Sequence, residues 1–175
     1  MIKKESKGKV TTYKFGKYEV TIHDNPPEKN SLTRNYANAE LHLNGEVPWN
    51  LNFHYGGKYC SLGDLGNHGI TKNETLKATK EIDFLIHCVE KYLYSKGTRE
   101  VVGRTHPTFA KFMKKRGWTP KVITKHCHDI SKRISPKNNP LPLVVRHALK
   151  LKEKKKLATK KKAPAKKKVP LKRRH

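Results

Sequence analysis

The chain has 175 residues, of which 34% are hydrophobic, and its 40 Lys and Arg against 14 Asp and Glu give a formal net charge of +26. This excess of positive charge favours a polyanionic partner, and no segment has the ~20 consecutive apolar residues of a transmembrane helix. The first ten residues carry lysines with no apolar segment behind them, so we expect no signal peptide.

The first strands are predicted by alternation and by turn residues. β-Branched and aromatic residues alternate from Val10 to His23 around Gly16, which is typical of two strands joined by a tight turn. A further strand is predicted over residues 37–43, and Asn44-Gly45 behind it is a strong hairpin signal.

The meander continues in residues 49–62. Gly56-Gly57 predicts a turn into a strand over residues 58–62, and residues 63–69 (GDLGNHG) predict a glycine-rich loop. The side chains that alternate onto one face of the strand before this turn are Trp49, Leu51, Phe53 and Tyr55.

The pattern then changes to a helical period. Thr71 and Glu74 have the spacing of a capping box, and Gly97 is a typical helix end, so a long helix is predicted between them. Its apolar face consists of Ile82, Leu85, Ile86, Val89, Tyr92 and Leu93.

Shorter elements follow. We predict a strand over residues 100–103, a helix from Pro107 to Gly117 with Phe109, Phe112 and Met113 on one face, and a closing strand over residues 118–127. Residues 135–140 (SPKNNP) predict a linker, and residues 141–156 a basic helix.

These elements predict an α/β (α+β) fold whose central, mostly antiparallel sheet is flanked by helices. The predicted domain covers residues 1–134, and residues 135–147 form a linker with the start of the basic helix. Residues 148–175 form a lysine-rich tail that is too polar to bury a core, so we expect it to be disordered.

The order of elements from about residue 37 to 127 resembles the GNAT N-acetyltransferases. The most similar stretch is VVGRTHPTFAKFMKKRGW (101–118), in which Lys114, Lys115, Gly117 and Trp118 match the "K-x-x-G-F" end of that family. The same pattern resembles the acetyltransferase-like proteins found inside tailed-phage heads, whose motifs are likewise degraded.

The resemblance implies that the pyrophosphate of acetyl-CoA rests on backbone N–H groups where the glycine loop enters the long helix, as phosphates do at helix N-termini. The residues implied are Gly66, Asn67, His68, Gly69, Ile70 and Thr71. The sequence departs from the family's Arg/Gln-x-x-Gly-x-Gly/Ala, so an ordinary strand-to-helix turn is the alternative interpretation.

Acyl transfer to an amine needs a base and a proton donor for the thiolate. Glu40 and His42 share one face of a predicted strand, and His54 and His106 are further candidate bases. The candidate phenols are Tyr92 and Tyr94. The local sequence marks none of these as catalytic.

A metal site is not predicted. His126 and His128 would face one side of a strand, but the paired C-x2-C type of spacing is absent, and Cys60, His87, Cys88 and Cys127 are dispersed. The three widely spaced cysteines favour reduced thiols in a cytoplasmic protein, and Cys88 is interpreted as a small buried hydrophobic residue.

The tail predicts binding to DNA or RNA through phosphates, and not to a membrane, because it lacks an apolar helix face. Residues 148–175 hold 14 Lys and Arg against Glu153. A continuous basic surface is predicted to lead into the tail from Lys111, Lys114, Lys115, Arg116, Lys121, Lys125, Lys132 and Arg133. The predicted contacts are Lys160, Lys161, Lys162, Lys166, Lys167, Lys168, Lys172, Arg173 and Arg174.

Two functions remain open from sequence. The first is an acetyl-CoA-dependent N-acetyltransferase held on nucleic acid by its tail, in the cytoplasm or, if phage-encoded, within a virion. The second is a non-enzymatic nucleic-acid-binding or packaging protein on a degenerate acyltransferase scaffold, and only the site can decide between them.

Overall fold

A computed structural model describes residues 1–25, 35–67 and 75–162. Within them, nine strands form one sheet: β1 (Lys3–Lys7), β2 (Val10–Phe15), β3 (Tyr18–Asn25), β4 (Asn35–Leu43), β5 (Glu46–Gly56), β6 (Tyr59–Asn67), β7 (Glu100–Thr105), β8 (Thr119–Thr124) and β9 (Cys127–Arg133). The helices are α1 (Thr75–Ser95), α2 (Pro107–Lys115) and α3 (Leu143–Lys162).

The strand order is β1-β2-β3-β4-β5-β6-β7-β9-β8, and only β6 and β7 pair in parallel. The predicted fold class, a mostly antiparallel sheet with flanking helices, is confirmed. The hairpin at Asn44-Gly45 is confirmed too, since both residues have positive φ (53° and 86°), as a type I′ turn requires.

One face of the sheet forms the core. Along β3, β4 and β5 every second side chain is buried, and α1 covers that face. The face predicted from Trp49, Leu51, Phe53 and Tyr55 is confirmed, because each is at most 8% exposed. The intervening side chains of these strands keep partial exposure, so the opposite face stays polar.

Helix α1 is buried on all sides between Glu81 and Glu90. Its predicted apolar face lies in the core, and Gly97 follows its end with a φ of +89°. Four polar side chains, Glu81, Asp83, His87 and Glu90, are buried as well. Buried charges need partners. Glu81 accepts from Trp49 Nε1 at 3.0 Å, and Asp83 and Glu90 find their partners in the second half of the chain.

Glu90 accepts three hydrogen bonds from side chains of the second half of the chain. Lys132 Nζ lies 3.0 Å from Glu90 Oε1 and 2.8 Å from Oε2, and Trp118 Nε1 donates to Oε1 at 2.9 Å. Lys132 also donates to the Arg116 carbonyl oxygen at 2.9 Å. Burial lowers the pKa of the Lys132 ammonium, while Glu90 opposes that shift.

Asp83 makes a second set of contacts on the same face of α1, two turns before Glu90. The Arg116 guanidinium pairs with one Asp83 oxygen, and the other accepts from the backbone N–H of Leu143 at the start of α3. Two carboxylates and two cations thus balance inside the protein. They tie α1 to the end of α2, to β9 and to α3.

The predicted basic surface is therefore wrong at Arg116 and Lys132, which are each 4% exposed. The sequence alone predicted that Arg116 and Lys132 face solvent, because their carboxylate partners lie 26–42 positions away along the chain. Lys111, Lys114, Lys115, Lys121, Lys125 and Arg133 are exposed, as predicted.

Three other predictions differ from the structure. Residues 63–67 of the predicted glycine loop belong to β6, because Leu65, Gly66 and Asn67 pair with β5. The predicted strand 118–127 breaks at Lys125-His126, and β9 follows it. β1 was not predicted, since KKESK carries no apolar residue, and it forms an exposed edge strand.

Helix α3 continues to Lys162, six residues past the predicted helix end at residue 156. The predicted helix start at Thr71 lies outside the described residues. Among the helices of the described part, none is long and apolar enough to cross a membrane.

The Glu90–Lys132 pair yields a stability prediction. Lys132→Met leaves a buried carboxylate without its main cation, so the free energy of unfolding should fall by about 3–5 kcal/mol. Lys121→Met, on exposed β8, should change it by no more than about 0.5 kcal/mol. Urea unfolding followed by circular dichroism measures both, and equal stability of the two variants would contradict the role of this pair.

His87 yields a pH prediction. Burial, with the nearby charges of Arg116 and Lys91, lowers the pKa of His87 from 6.5 to about 4. The unfolded chain therefore binds a proton between pH 6.5 and 4 that the folded chain does not, so stability should fall by about 3 kcal/mol as pH drops through this window.

The matched variant is His87→Asn, whose amide keeps a donor toward the Pro140 carbonyl oxygen that His87 Nδ1 contacts at 3.0 Å. This variant should lose most of the decline in stability between pH 6.5 and 4. Urea midpoints at pH 7, 5.5 and 4.5 measure it, and a decline of unchanged size in the variant would assign the effect to other groups.

Candidate functional site

β6 and β7 separate after three paired residues. Tyr59–Ser61 pairs with Glu100–Val102. Beyond this point β6 follows β5 as far as Asn67, and β7 follows β9 as far as Thr105. The two strands thus leave a wedge between residues 62–67 and 103–105, into which both present edge backbone groups that have no ladder partner among the residues the structure describes.

A β-bulge accounts for the divergence. Leu51 pairs with Leu65 and Phe53 with Leu62, so two residues, Gly63 and Asp64, stand opposite Asn52. A Cβ on Gly63 would lie 3.1 Å from the Asn52 carbonyl oxygen, so glycine permits the close approach. Bulges bend the strand that carries them, and here the bend begins where β6 leaves β7.

The wedge lies at the carboxyl ends of two parallel strands, each followed by a helix. This is the position where open α/β sheets bind ligands. His106 caps α2, with its Nδ1 accepting from Thr108 N–H at 3.3 Å, and its ring is exposed beside the wedge. Gly66 and Asn67 form the end of β6, whereas the predicted cofactor residues His68, Gly69, Ile70 and Thr71 lie outside the described residues.

The polar face of the sheet carries a cluster of two histidines around one carboxylate. Glu40 Oε2 lies 3.5 Å from His42 Nε2 and 3.9 Å from His23 Nε2, and all three side chains are between 33% and 44% exposed. Glu40 pairs with Asn50, and Asn50 with Gly66. The cluster is therefore two strands, or about 10 Å, from the wedge.

A second polar group lies on the same face. Asn52 Oδ1 accepts from Tyr36 OH at 2.9 Å and from Asn38 Nδ2 at 2.6 Å. Asn38 Oδ1 is buried and has no hydrogen-bond partner among the described residues. The sequence analysis missed His23, Asn38 and Asn52, although their outward positions on three alternating strands could have indicated them.

Several predicted candidates are kept apart from the wedge. Tyr92 is buried, 3.2 Å from Tyr55 OH, and burial followed by hydrogen bonding raises its pKa. Tyr94 stacks under the Arg99 guanidinium at 4.2 Å. His54 lies 5.2 Å from the Tyr36 ring on the polar face. It pairs with Ser61, where β6 leaves β7, and is four residues along β5 from Asn50, the partner of Glu40.

The dispersed thiols and imidazoles do not converge. The sequence predicted that His126 and His128 share one face of a strand. His126 lies instead in the β8–β9 turn, so this prediction is wrong. Cys60 and Cys88 are buried in the core, as predicted for Cys88. Across residues 1–25, 35–67 and 75–162, no group of three His, Cys, Asp or Glu side chains has the geometry of a metal site.

The predicted nucleic-acid contacts lie at or beyond the end of α3. Lys160, Lys161 and Lys162 form its last turn. Lys166, Lys167, Lys168, Lys172, Arg173 and Arg174 lie outside the described residues.

Comparison with known proteins gives only a structural similarity. No protein-family model and no curated protein sequence matches. The chain is similar to the N-acetyltransferase PseH of Campylobacter jejuni, with 13% identity, 57% of this chain and 69% of that one covered, and a TM-score of 0.44. It is similar to an aminoglycoside 6'-acetyltransferase type Ii, with 17% identity, 58% and 70% covered, and a TM-score of 0.47.

A putative acetyltransferase from Sphaerobacter thermophilus has 9% identity, 69% of this chain and 96% of that one covered, and a TM-score of 0.46. Similarity at this level does not assign an activity. The function must be argued from the wedge and the polar face.

Proposed function

We propose that the protein is an N-acyltransferase that binds acetyl-CoA in the wedge and an amine acceptor on the polar face of the sheet. The observation that carries this proposal is the separation of β6 from β7 after Ser61 and Val102. A wedge between parallel strands offers unpaired backbone donors and acceptors to a ligand that contains amide groups, in the manner of an added strand.

The residues present fit such a ligand. Gly63 lets β6 bend away, and the chain from Gly66 to Thr71 leads into α1, where the sequence places N–H donors for a pyrophosphate. When bound, acetyl-CoA supplies an acyl group activated as a thioester. The protein must then bring an uncharged amine to it.

Glu40 and His42 can remove the proton of the incoming ammonium group. With Nε2 of His42 turned toward Glu40 at 3.5 Å, Nδ1 is the nitrogen that accepts the proton. The Glu40 carboxylate then stabilises the imidazolium, which is the role of an acid partner beside a catalytic histidine.

The basic helix is proposed to hold this domain on DNA or RNA, in the cytoplasm or in a virion. Val144 and Val145 anchor α3 in the core, and residues 149–154 are exposed. A 20-residue helix extends about 30 Å, so its lysines project from the body toward the remaining tail. Phosphates along a nucleic acid match such a spaced row of charges.

One observation favours the alternative, a non-enzymatic nucleic-acid-binding protein. The side chains that α2 packs against the core include Phe109 and Phe112, and its sequence contains no Tyr, Cys or His. The nine residues of the helix beside the wedge therefore provide no phenol, thiol or imidazole for a leaving thiolate, and the imidazole of His106 lies at its N-cap. The experiment below separates the two functions.

Acetyl-CoA binding is the first test. Calorimetry of the full chain should detect binding, and Gly69→Asp should weaken it at least tenfold, because a carboxylate would oppose the pyrophosphate. Asn44→Asp adds the same charge in the β4–β5 hairpin and should leave affinity unchanged. Absence of heat at millimolar acetyl-CoA would reject the enzyme and leave the alternative.

The rate of acetyl transfer tests the role of the polar face separately from ligand binding in the wedge. Glu40→Gln should lower the release of CoA thiol to an amine acceptor about 100-fold, since general-base catalysis contributes on that order, and it should leave acetyl-CoA affinity intact. Glu46→Gln, at the exposed start of β5, is the control. Equal rates in the two variants would show that another group removes the proton.

The nucleic-acid proposal predicts a change in salt dependence. Deleting residues 163–175 removes six Lys and Arg, so the slope of log affinity against log salt should decrease by about 5 if all six contact phosphates. Fluorescence anisotropy with mixed-sequence DNA and RNA measures it. An unchanged slope would place the contacts on the body or on α3.

A further inference from the structure

A cavity of about 700 Å³ lies between α1, α3 and the N-terminal strands. Its apolar walls include Ile2, Phe15, Ile134, Val145 and Leu149. It contacts the second half of α1, which runs back over the starts of β6 and β7, so it is separate from the wedge at their carboxyl ends. Its volume is that of a small-molecule site.

One hydrogen-bond acceptor belongs to a residue that lines this apolar space, His87. The His87 Nδ1–H donates to the Pro140 carbonyl oxygen at 3.0 Å, which leaves Nε2 of the ring as an acceptor. Asn139 Nδ2 donates to the His87 carbonyl oxygen at 3.2 Å and so helps to fix this part of the cavity wall. An occupant that donates a hydrogen bond would satisfy the acceptor of His87.

The charged residues around the cavity that have no partner of opposite charge in the described part of the chain are lysines. Glu90 lines it, but its carboxylate is neutralised by Lys132. Lys91 and Lys152 are exposed residues at its rim, and neither pairs with a carboxylate of the described residues. Lys91 follows His87 by one helical turn, so its side chain and the His87 ring lie on the same side of α1.

We propose that this cavity binds an acyl amphiphile, a molecule with an alkyl chain, a carboxylate and a hydrogen-bond donor beside the carboxylate. The chain lies against the apolar walls, the donor reaches His87, and the carboxylate meets Lys91 and Lys152. N-acyl amino acids and hydroxylated fatty acids both have this chemistry. The inference rests on the cavity and does not depend on the acyl-transfer proposal.

Calorimetry of the full chain tests it with N-decanoylglycine, 3-hydroxydecanoate, decanoate and the methyl ester of N-decanoylglycine. The first two should bind more tightly than decanoate, and the ratio between them identifies the donor as amide or hydroxyl. The methyl ester should bind more weakly than its acid, because it lacks the charge that the rim lysines recognise. Equal affinity for all four, or no heat at millimolar concentration, would overturn the proposal.

Variants assign the binding to this cavity. Ala148→Trp fills it from α3 and should abolish binding, whereas Leu151→Trp, at a 51% exposed position of the same helix, should not. Lys91→Gln and Lys152→Gln should each weaken N-decanoylglycine about threefold and leave the methyl ester unchanged, with Lys150→Gln as the control. If the lysine variants have no effect and both tryptophan variants bind equally, the ligand lies elsewhere.

Discussion

The buried charge network around Glu90 and Asp83 holds the second half of the fold in place. Two carboxylates on α1 meet Arg116 behind α2 and Lys132 on β9, and Asp83 also holds the first turn of α3. Such a network stabilises only when each member is paired, because a single buried charge without its partner is costly. It fixes β9 against α1, and β7 runs between β9 and β6, so the width of the wedge depends on it.

The sheet separates two tasks between its faces. α1 covers one face and supplies the core, while the other face presents Glu40 and His42 to solvent about 10 Å from the wedge. In the proposed reaction, a ligand held between β6 and β7 is approached from that polar face by an amine beside Glu40. The cavity between α1 and α3 lies at the far end of α1 and is the proposed site of a separate acyl ligand.

Local signals predicted the strands and turns well. Asn44-Gly45 and the alternation from Trp49 to Tyr55 depend on neighbouring residues, so the sequence contains them directly. The wedge was not predicted, because it results from a bulge and from the pairing of β6 with β5, which overrides the loop signal of Gly63 and Gly66. The buried state of Arg116 and Lys132 was missed for the same physical reason: their partners on α1 are distant in sequence and close only in the fold.

The β8–β9 turn at Lys125-His126 lacks glycine and asparagine, so no turn residue in the sequence indicated it.

The central claim is that the wedge is a ligand site, and hydrogen–deuterium exchange of the full chain with and without acetyl-CoA tests it most directly. Backbone amides of residues 62–67 and 103–105 should gain protection on binding, because the ligand replaces the missing strand partner, while Tyr59–Ser61 should change little. Protection that appears elsewhere, or none in these two segments at saturating acetyl-CoA, would contradict the account.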